Sequence, residues 1–420
     1  MNMNQKETFF IGASTSAHQV EGNNIYSDCW AMEQMKGSVY NEPSLDAADH
    51  YNRFEEDISR MAEAGYQAYR FSIEWARIEP RRGDFQFQEI EHYKNVLECC
   101  HKNGLIPIVT MHHFSSPKWL TAMGGWENDM TAELFAGYCS YVMEHVGPLI
   151  PYVCTINEAN MGIQIAKIMQ SMEPSELQIG INTDQAQFME SYMKNLGDVF
   201  ETEPQKVQPF ISMRTPHGDE IVRKAHMAAR KAIKKKSPET KVGMTFSLFD
   251  YQYEEGGKAA AQREWDEDFR HYLPAVAEDD FIGIQNYTRK IITKDGKTRP
   301  AQGKLTMAGY EYYPQALGHV IMRVAQDWKK PVIVTENGIA TADDTERVAF
   351  IREALDGVKQ CIESGINVLG YMHWSLLDNF EWNMGYTQTF GLIAVDRRTQ
   401  KRTPKPSFSS LGEIARQYKN

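Results

Sequence analysis

No apolar run in this chain approaches the ~18 residues that a membrane-spanning helix requires, so nothing in it reads as a membrane protein. The start, from Met1 to Thr8, is polar and carries no secretory leader pattern. Cysteine is sparse: the six residues (Cys29, Cys99, Cys100, Cys139, Cys154 and Cys361) show neither metal-ligand spacing nor the density of a disulfide framework. Positive charge is also short, with 45 Lys and Arg against 56 Asp and Glu. The resulting net charge of −11 argues against nucleic acid or an anionic membrane as partner. Linkers, low-complexity tracts and short-period repeats are missing as well. The expectation is one domain over residues 1–420, soluble and cytoplasmic, with its cysteines as small buried hydrophobes in a reducing compartment.

What is present is a large potential core, 42% hydrophobic and 11% aromatic, cut into short pieces. Apolar, β-branched runs at 9–13, 69–73, 106–111, 152–157, 242–247, 281–286, 332–336 and 369–374 have the length of buried strands. Amphipathic stretches separate them, with helix-like periodicity at 51–64, 87–103, 131–145, 218–236, 314–327 and 343–364. Lys234, Lys235 and Lys236 close one of these helices, where cations complement the helix dipole, and read as a solvated terminus. Eight alternating units predict an α/β fold, a single (β/α)8 TIM barrel with βα-loop insertions. The insertions fall at the irregular stretches 169–217 and 289–310.

Two of the predicted strands end in glutamate. Glu158 closes Tyr-Val-Cys-Thr-Ile-Asn-Glu, and Glu336 lies in Val-Ile-Val-Thr-Glu-Asn-Gly. In a parallel barrel the C-terminal strand ends face the active site. A single buried glutamate there would more often be satisfied by structural hydrogen bonds. Two carboxyl groups brought together are the equipment for cleaving a glycosidic bond.

The segments around both glutamates extend the pattern along nearly the whole chain. In order they are 12–22 (Gly-Ala-Ser-Thr-Ser-Ala-His-Gln-Val-Glu-Gly), 48–58 (Ala-Asp-His-Tyr-Asn-Arg-Phe-Glu-Glu-Asp-Ile) and 69–80 (Tyr-Arg-Phe-Ser-Ile-Glu-Trp-Ala-Arg-Ile-Glu-Pro). His113-Phe114, Gly124-Gly125-Trp126 and 155–158 follow, then 281–288, 311–314, 334–338 and 374–382 (Trp-Ser-Leu-Leu-Asp-Asn-Phe-Glu-Trp), with Phe390-Gly391-Leu392 and 402–405 at the end. Together they resemble glycoside hydrolase family 1, the β-glucosidase family. The resemblance implies a retaining mechanism in which Glu336 attacks the anomeric carbon while Glu158 acts as acid and then as base, with the carboxyls ~5–5.5 Å apart. It places Arg70 and Tyr287 beside the nucleophile. It assigns Gln19, His113, Asn157, Glu381 and Trp382 to the non-reducing sugar and Trp374 to a stacking platform. It implies no cofactor and no metal, and a small-molecule β-glycoside or oligosaccharide as partner. Met169, Met172 and Met189 could line an aglycone entrance, or simply fill gaps.

Three positions depart from the family's usual pattern: Ala159 stands where Pro is common, Gln285 where Asn is, and Phe114 where Trp is frequent. Glu381 argues against a 6-phospho-β-glycosidase, because a carboxylate repels a dianion. Glu158 argues against the myrosinase variant, which has glutamine there. The rivals that stay open are a transglycosidase with the same residues, a sugar-binding protein without activity, and a metal-dependent barrel enzyme. The last is disfavoured because His112 and His113, adjacent in a strand, face opposite ways.

Overall fold

A computed structural model describes residues 9–171 and 183–418. Eight parallel strands close into a barrel in strictly sequential order. They are β1 (Phe10–Ser14), β2 (Ala68–Ser72), β3 (Ile106–His112), β4 (Tyr152–Ile156), β5 (Lys241–Ser247), β6 (Phe281–Gln285), β7 (Val332–Asn337) and β8 (Val368–Trp374). Each lies within about a residue of the run expected from β-branched, apolar composition, because burial on both faces leaves such runs no alternating signal to misread. One difference matters for the site. β7 runs on through Glu336 to Asn337, so Glu336 is a strand residue, whereas Glu158 lies beyond the end of β4.

Inside the barrel, Phe10, Ile108, Phe281, Ile333 and Met372 form an apolar floor with Ala68 and Cys154. Gly370 makes room for it: a Cβ there would stand 2.1 Å from the Phe10 ring. Above the floor the interior turns polar, and Arg70, Thr245, Thr335 and Gln285 are all fully buried. The outer ring follows from helix periodicity. Helix Thr131–Val146 buries Phe135, Tyr138, Cys139, Val142, Met143 and Val146 and packs beside helix Pro216–Lys236. The latter starts at a Thr215 cap, whose hydroxyl accepts from the Gly218 amide at 3.1 Å. Each large side chain so buried contributes about 1.5–3 kcal/mol.

Two of the quoted segments prove to be structural. Arg402 donates to Asp57 through Nε and Nη2, both at 2.9 Å, although 345 residues separate them, and Asp57 in turn holds His50 at 2.8 Å. That buried clasp ties the chain's end to its first long helix.

The described parts of the insertions hold more regular structure than their composition suggests. Stretch 169–217 contains helix Thr183–Phe200, and stretch 289–310 opens with strand Arg289–Ile292, which pairs in parallel with Asp250–Tyr253. Among the described residues, no helix is long and apolar enough to cross a membrane.

Candidate active site

The C-terminal ends of the strands surround a cavity of about 290 Å³, and both Glu158 and Glu336 line it. Their surroundings differ sharply. Arg70 Nη1 donates to Glu336 Oε1 at 2.6 Å, and the Tyr287 hydroxyl donates to Glu336 Oε2 at 2.6 Å. Gly338, two residues on, permits this closeness of strands: a Cβ there would lie 1.9 Å from the Trp374 carbonyl oxygen. Burial raises the Glu336 carboxyl, while the Arg70 charge and the Tyr287 hydrogen bond pull it back down. Burial also keeps Tyr287 protonated and therefore a donor.

Glu158 sits on left-handed backbone, φ 42°, which turns its side chain out of the strand's alternation. Its amide donates to Thr245 Oγ1 at 3.0 Å, and Ser247 supplies a hydrogen bond to its carboxyl. Burial and the nearby Glu336 charge hold its carboxyl well above the usual range. Both carboxyls are raised, Glu158 the further of the two, so a proton shared by the pair favours Glu158.

Ala159 bears directly on this geometry. Its amide donates to the Thr245 carbonyl at 3.0 Å, a bond proline could not make, and its own carbonyl accepts from Arg214 Nη1 at 2.7 Å. The restraint that a proline ring would give is replaced by two hydrogen bonds. Gln285, which stands where Asn is usual, also joins this network. Its Nε2 donates to Asn157 Oδ1 at 2.6 Å, and Arg70 Nη2 donates to the same oxygen at 2.6 Å. One side of Asn157 is thereby locked, and its Nδ2 is left buried with no partner among the described residues.

The remaining residues expected at a sugar site gather here too. His113 Nε2 lies 3.9 Å from Glu336 Oε1, and its ring stacks on Trp374 at 5.6 Å. Burial and the Arg70 charge push its pKa well down, so it is a neutral imidazole. His112 faces the other way, towards Ser116 and Trp126. Trp374 Nε1 donates to Glu381 Oε1 at 3.3 Å, and the Trp374–Ser375 peptide is cis. Burial in the pocket wall pushes the Glu381 carboxyl up to about 8, an effect that its residual exposure moderates. Trp382, also on left-handed backbone, stacks on His18 at 5.7 Å, and Phe114 meets its edge at 5.4 Å. Gln19 lines the cavity, but its amide is engaged internally: Nε2 donates to Asn379 and to the Phe380 carbonyl, and Oε1 accepts from Ser16.

Residues that the sequence reading passed over complete the wall. Met161, Ser247, Phe249, Tyr310 and Phe390 all line the cavity. Ser247 carried a signal as the last residue of a predicted strand, Phe390 as part of a quoted family-like segment and Tyr310 as the end of a predicted loop insertion, but none of these named a role. Of the three methionines considered for an entrance, Met169 is 52% exposed and lies off the cavity. Met172 lies outside the described residues, as does the Met189 side chain. No group of three or more His, Cys, Asp or Glu among the described residues is placed to hold a metal ion.

A parallel barrel with paired carboxyls at its mouth, one clamped by an arginine and one held protonated beside indoles and amides, has the makings of a barrel glycosidase. The comparisons with known proteins agree. The sequence profile of glycosyl hydrolase family 1 matches residues 1–420. The crystal structure of β-glycosidase BGL167 is 44% identical, covers 98% of this chain and 97% of its own, and superposes with a TM-score of 0.90. The β-glucosidase of Agrobacterium sp. is 29% identical over 97% of this chain and 94% of its own. β-Glucosidase A of Acetivibrio thermocellus is 27% identical over 95% of each. The chain belongs to glycosyl hydrolase family 1 and is a β-glucosidase-like glycoside hydrolase.

Proposed function

We propose that the protein is a retaining exo-β-glycosidase, working as one domain, that removes terminal unphosphorylated β-D-glucosyl residues. β-Galactosides and β-fucosides are plausible further substrates, and an alcohol in place of water would make the same site a transglycosidase. The observation that carries the reading is the asymmetry of the carboxyl pair. Glu336, charged beside Arg70 and Tyr287, attacks the anomeric carbon. Glu158, protonated, delivers its proton to the departing oxygen. The glycosyl ester formed on Glu336 removes the charge that raised Glu158, so Glu158 then ionises more readily and activates water.

On the sugar side, the unpartnered Asn157 Nδ2 would donate to the 2-hydroxyl, and Trp374 would offer its face to the sugar's C–H surface. His113, Glu381 and Trp382 would take the other hydroxyls, with Gln19 joining once its internal hydrogen bonds exchange. Against a phosphorylated sugar the stronger argument is missing counter-charge. Among the described residues no Lys or Arg lines this cavity and His113 is neutral, so a dianion would find no cation among them.

The test is hydrolysis of 4-nitrophenyl β-glucoside with the product anomer followed by NMR. β-Glucose appearing first is expected. α-Glucose first would remove the nucleophile role of Glu336, and an inert protein that still binds sugars would favour the binding-module reading.

A further inference from the structure

The cavity holding the two glutamates adjoins a second of about 460 Å³, and Met161, Ser247, Phe249 and Tyr310 line both. The two differ in charge. Among the described residues the first is lined by no Lys or Arg, and the second by Arg289, Lys290 and Arg299 against one carboxylate, Glu311. In a chain of net charge −11 this is a local inversion.

Two of the three cations are already matched. Glu311 accepts from Arg289 Nε at 3.0 Å and Nη2 at 2.9 Å, and Glu254 accepts from Arg299 Nη1 at 3.1 Å. Lys290 forms no ion pair among the described residues, and its ammonium instead lies 3.8 Å from the centroid of the Phe249 ring. The position follows from the chain path. Strand Arg289–Ile292 continues outward beyond β6 beside Asp250–Tyr253, with Lys290 opposite Tyr251 and close to the ring of Phe249.

A half-buried ammonium resting on an aromatic face has lost part of its hydration, which weakens its hold on the proton, while the charges of Asp268 and Glu264 favour the ammonium without forming an ion pair with it among the described residues. An anion reaching it gains a charge-assisted hydrogen bond in place of a weaker ring contact. A neutral, polyhydroxylated leaving group would leave that charge unmatched. The surfaces shared by the two cavities are largely apolar and aromatic. The geometry points to one class of leaving group: an aromatic ring bearing a carboxylate, packed against Phe249 and Tyr310 with the carboxylate on Lys290. This deepens, and rests on, the β-glucosidase reading of the adjoining cavity.

The test uses 4-hydroxycinnamate and its methyl ester, with the 4-O-β-glucoside of each. Calorimetry measures binding of the free aglycones to wild type, Lys290→Met and Lys290→Arg, and kcat/KM is measured for both glucosides. The acid-to-ester ratio is compared between proteins, which cancels the intrinsic difference in leaving ability. Wild type is expected to favour the acid about tenfold over Lys290→Met, or about 1.4 kcal/mol, with Lys290→Arg keeping most of the preference. Should Lys290→Met fail to fold, Lys290→Gln carries the same comparison. Equal ratios in wild type and the neutral variant overturn the proposal, whatever happens to the glucosides. Loss of all glucoside cleavage with the binding preference intact removes the β-glucosidase reading and leaves the anion site standing.

Discussion

Glu336 and Glu158 line one cavity and are the same residue type, yet almost everything around them differs. Glu336 belongs to β7, and both of its oxygens are engaged, one by a guanidinium and one by a phenol. Glu158 lies past the end of β4 on left-handed backbone, with a hydroxyl at its carboxyl and its proton retained by burial and by the charge of Glu336. The difference teaches that the tendency of each carboxyl to ionise is set by its neighbours, not by residue type, and the proposed roles of acid and nucleophile rest on it.

Removing each carboxyl should break the comparison unequally. Glu336→Gln is expected to lose at least about 10⁴-fold in kcat for every leaving group, because no attacking group remains. Glu158→Gln should lose about 10²–10⁴-fold with a phenyl glucoside, which needs a proton. With 2,4-dinitrophenyl β-glucoside, whose leaving group needs none, the loss in the first step should be much smaller. Pre-steady-state release of the phenol measures both, and an equal loss for the two leaving groups would reverse the assignment.

Removing a neighbour should shift the pair without deleting it. Tyr287→Phe deletes a donor that favours ionised Glu336, so the Glu336 carboxyl rises and the acid limb of kcat/KM moves to higher pH. A loss of about 10-fold at neutral pH is expected from one such hydrogen bond, and an unmoved acid limb would show that Arg70 alone sets the charge.

The smallest effect is on stability, and it extends the comparison to Glu381. Its carboxyl rises from 4.5 to about 8 on folding, so the folded chain binds that proton more tightly. Its contribution is therefore fully present below the unfolded value and is lost as pH rises towards 8. Glu381→Gln should leave stability unchanged at low pH and raise it at pH 8 by on the order of 1 kcal/mol, the figure being held down by the partial exposure of the site. Thermal unfolding of both proteins across that range checks it; parallel curves would mean that the carboxyl ionises freely.

Much of the fold was legible in the chain. Strands buried on both faces must be short, apolar and β-branched, and helices over a barrel must carry one apolar stripe, so local runs alone locate both. The candidate site was legible through the resemblance, which named Arg70, His113, Asn157, Tyr287, Trp374 and Glu381, and the barrel brings these residues round one cavity or against a residue that lines it. The helix Thr183–Phe200 and the strand Arg289–Ile292 were missed: the helix has its own amphipathic periodicity inside a stretch read as irregular, and the strand is only four residues long.

By itself, then, the amino-acid sequence determined a closed (β/α)8 barrel, and its resemblance to the family named the side chains expected at the open end. Only the tertiary structure decided how differently the two carboxyls are surrounded, how two hydrogen bonds stand in for a proline at Ala159, that Gln285 and Arg70 share the oxygen of Asn157, and that Lys290 forms no ion pair among the described residues beside the site. The physical reason is one of range. Burial patterns are written in neighbouring residues, whereas desolvation and charge are sums over groups as far apart as Arg70 and Glu336, which are 266 positions distant in the chain and 2.6 Å apart in space.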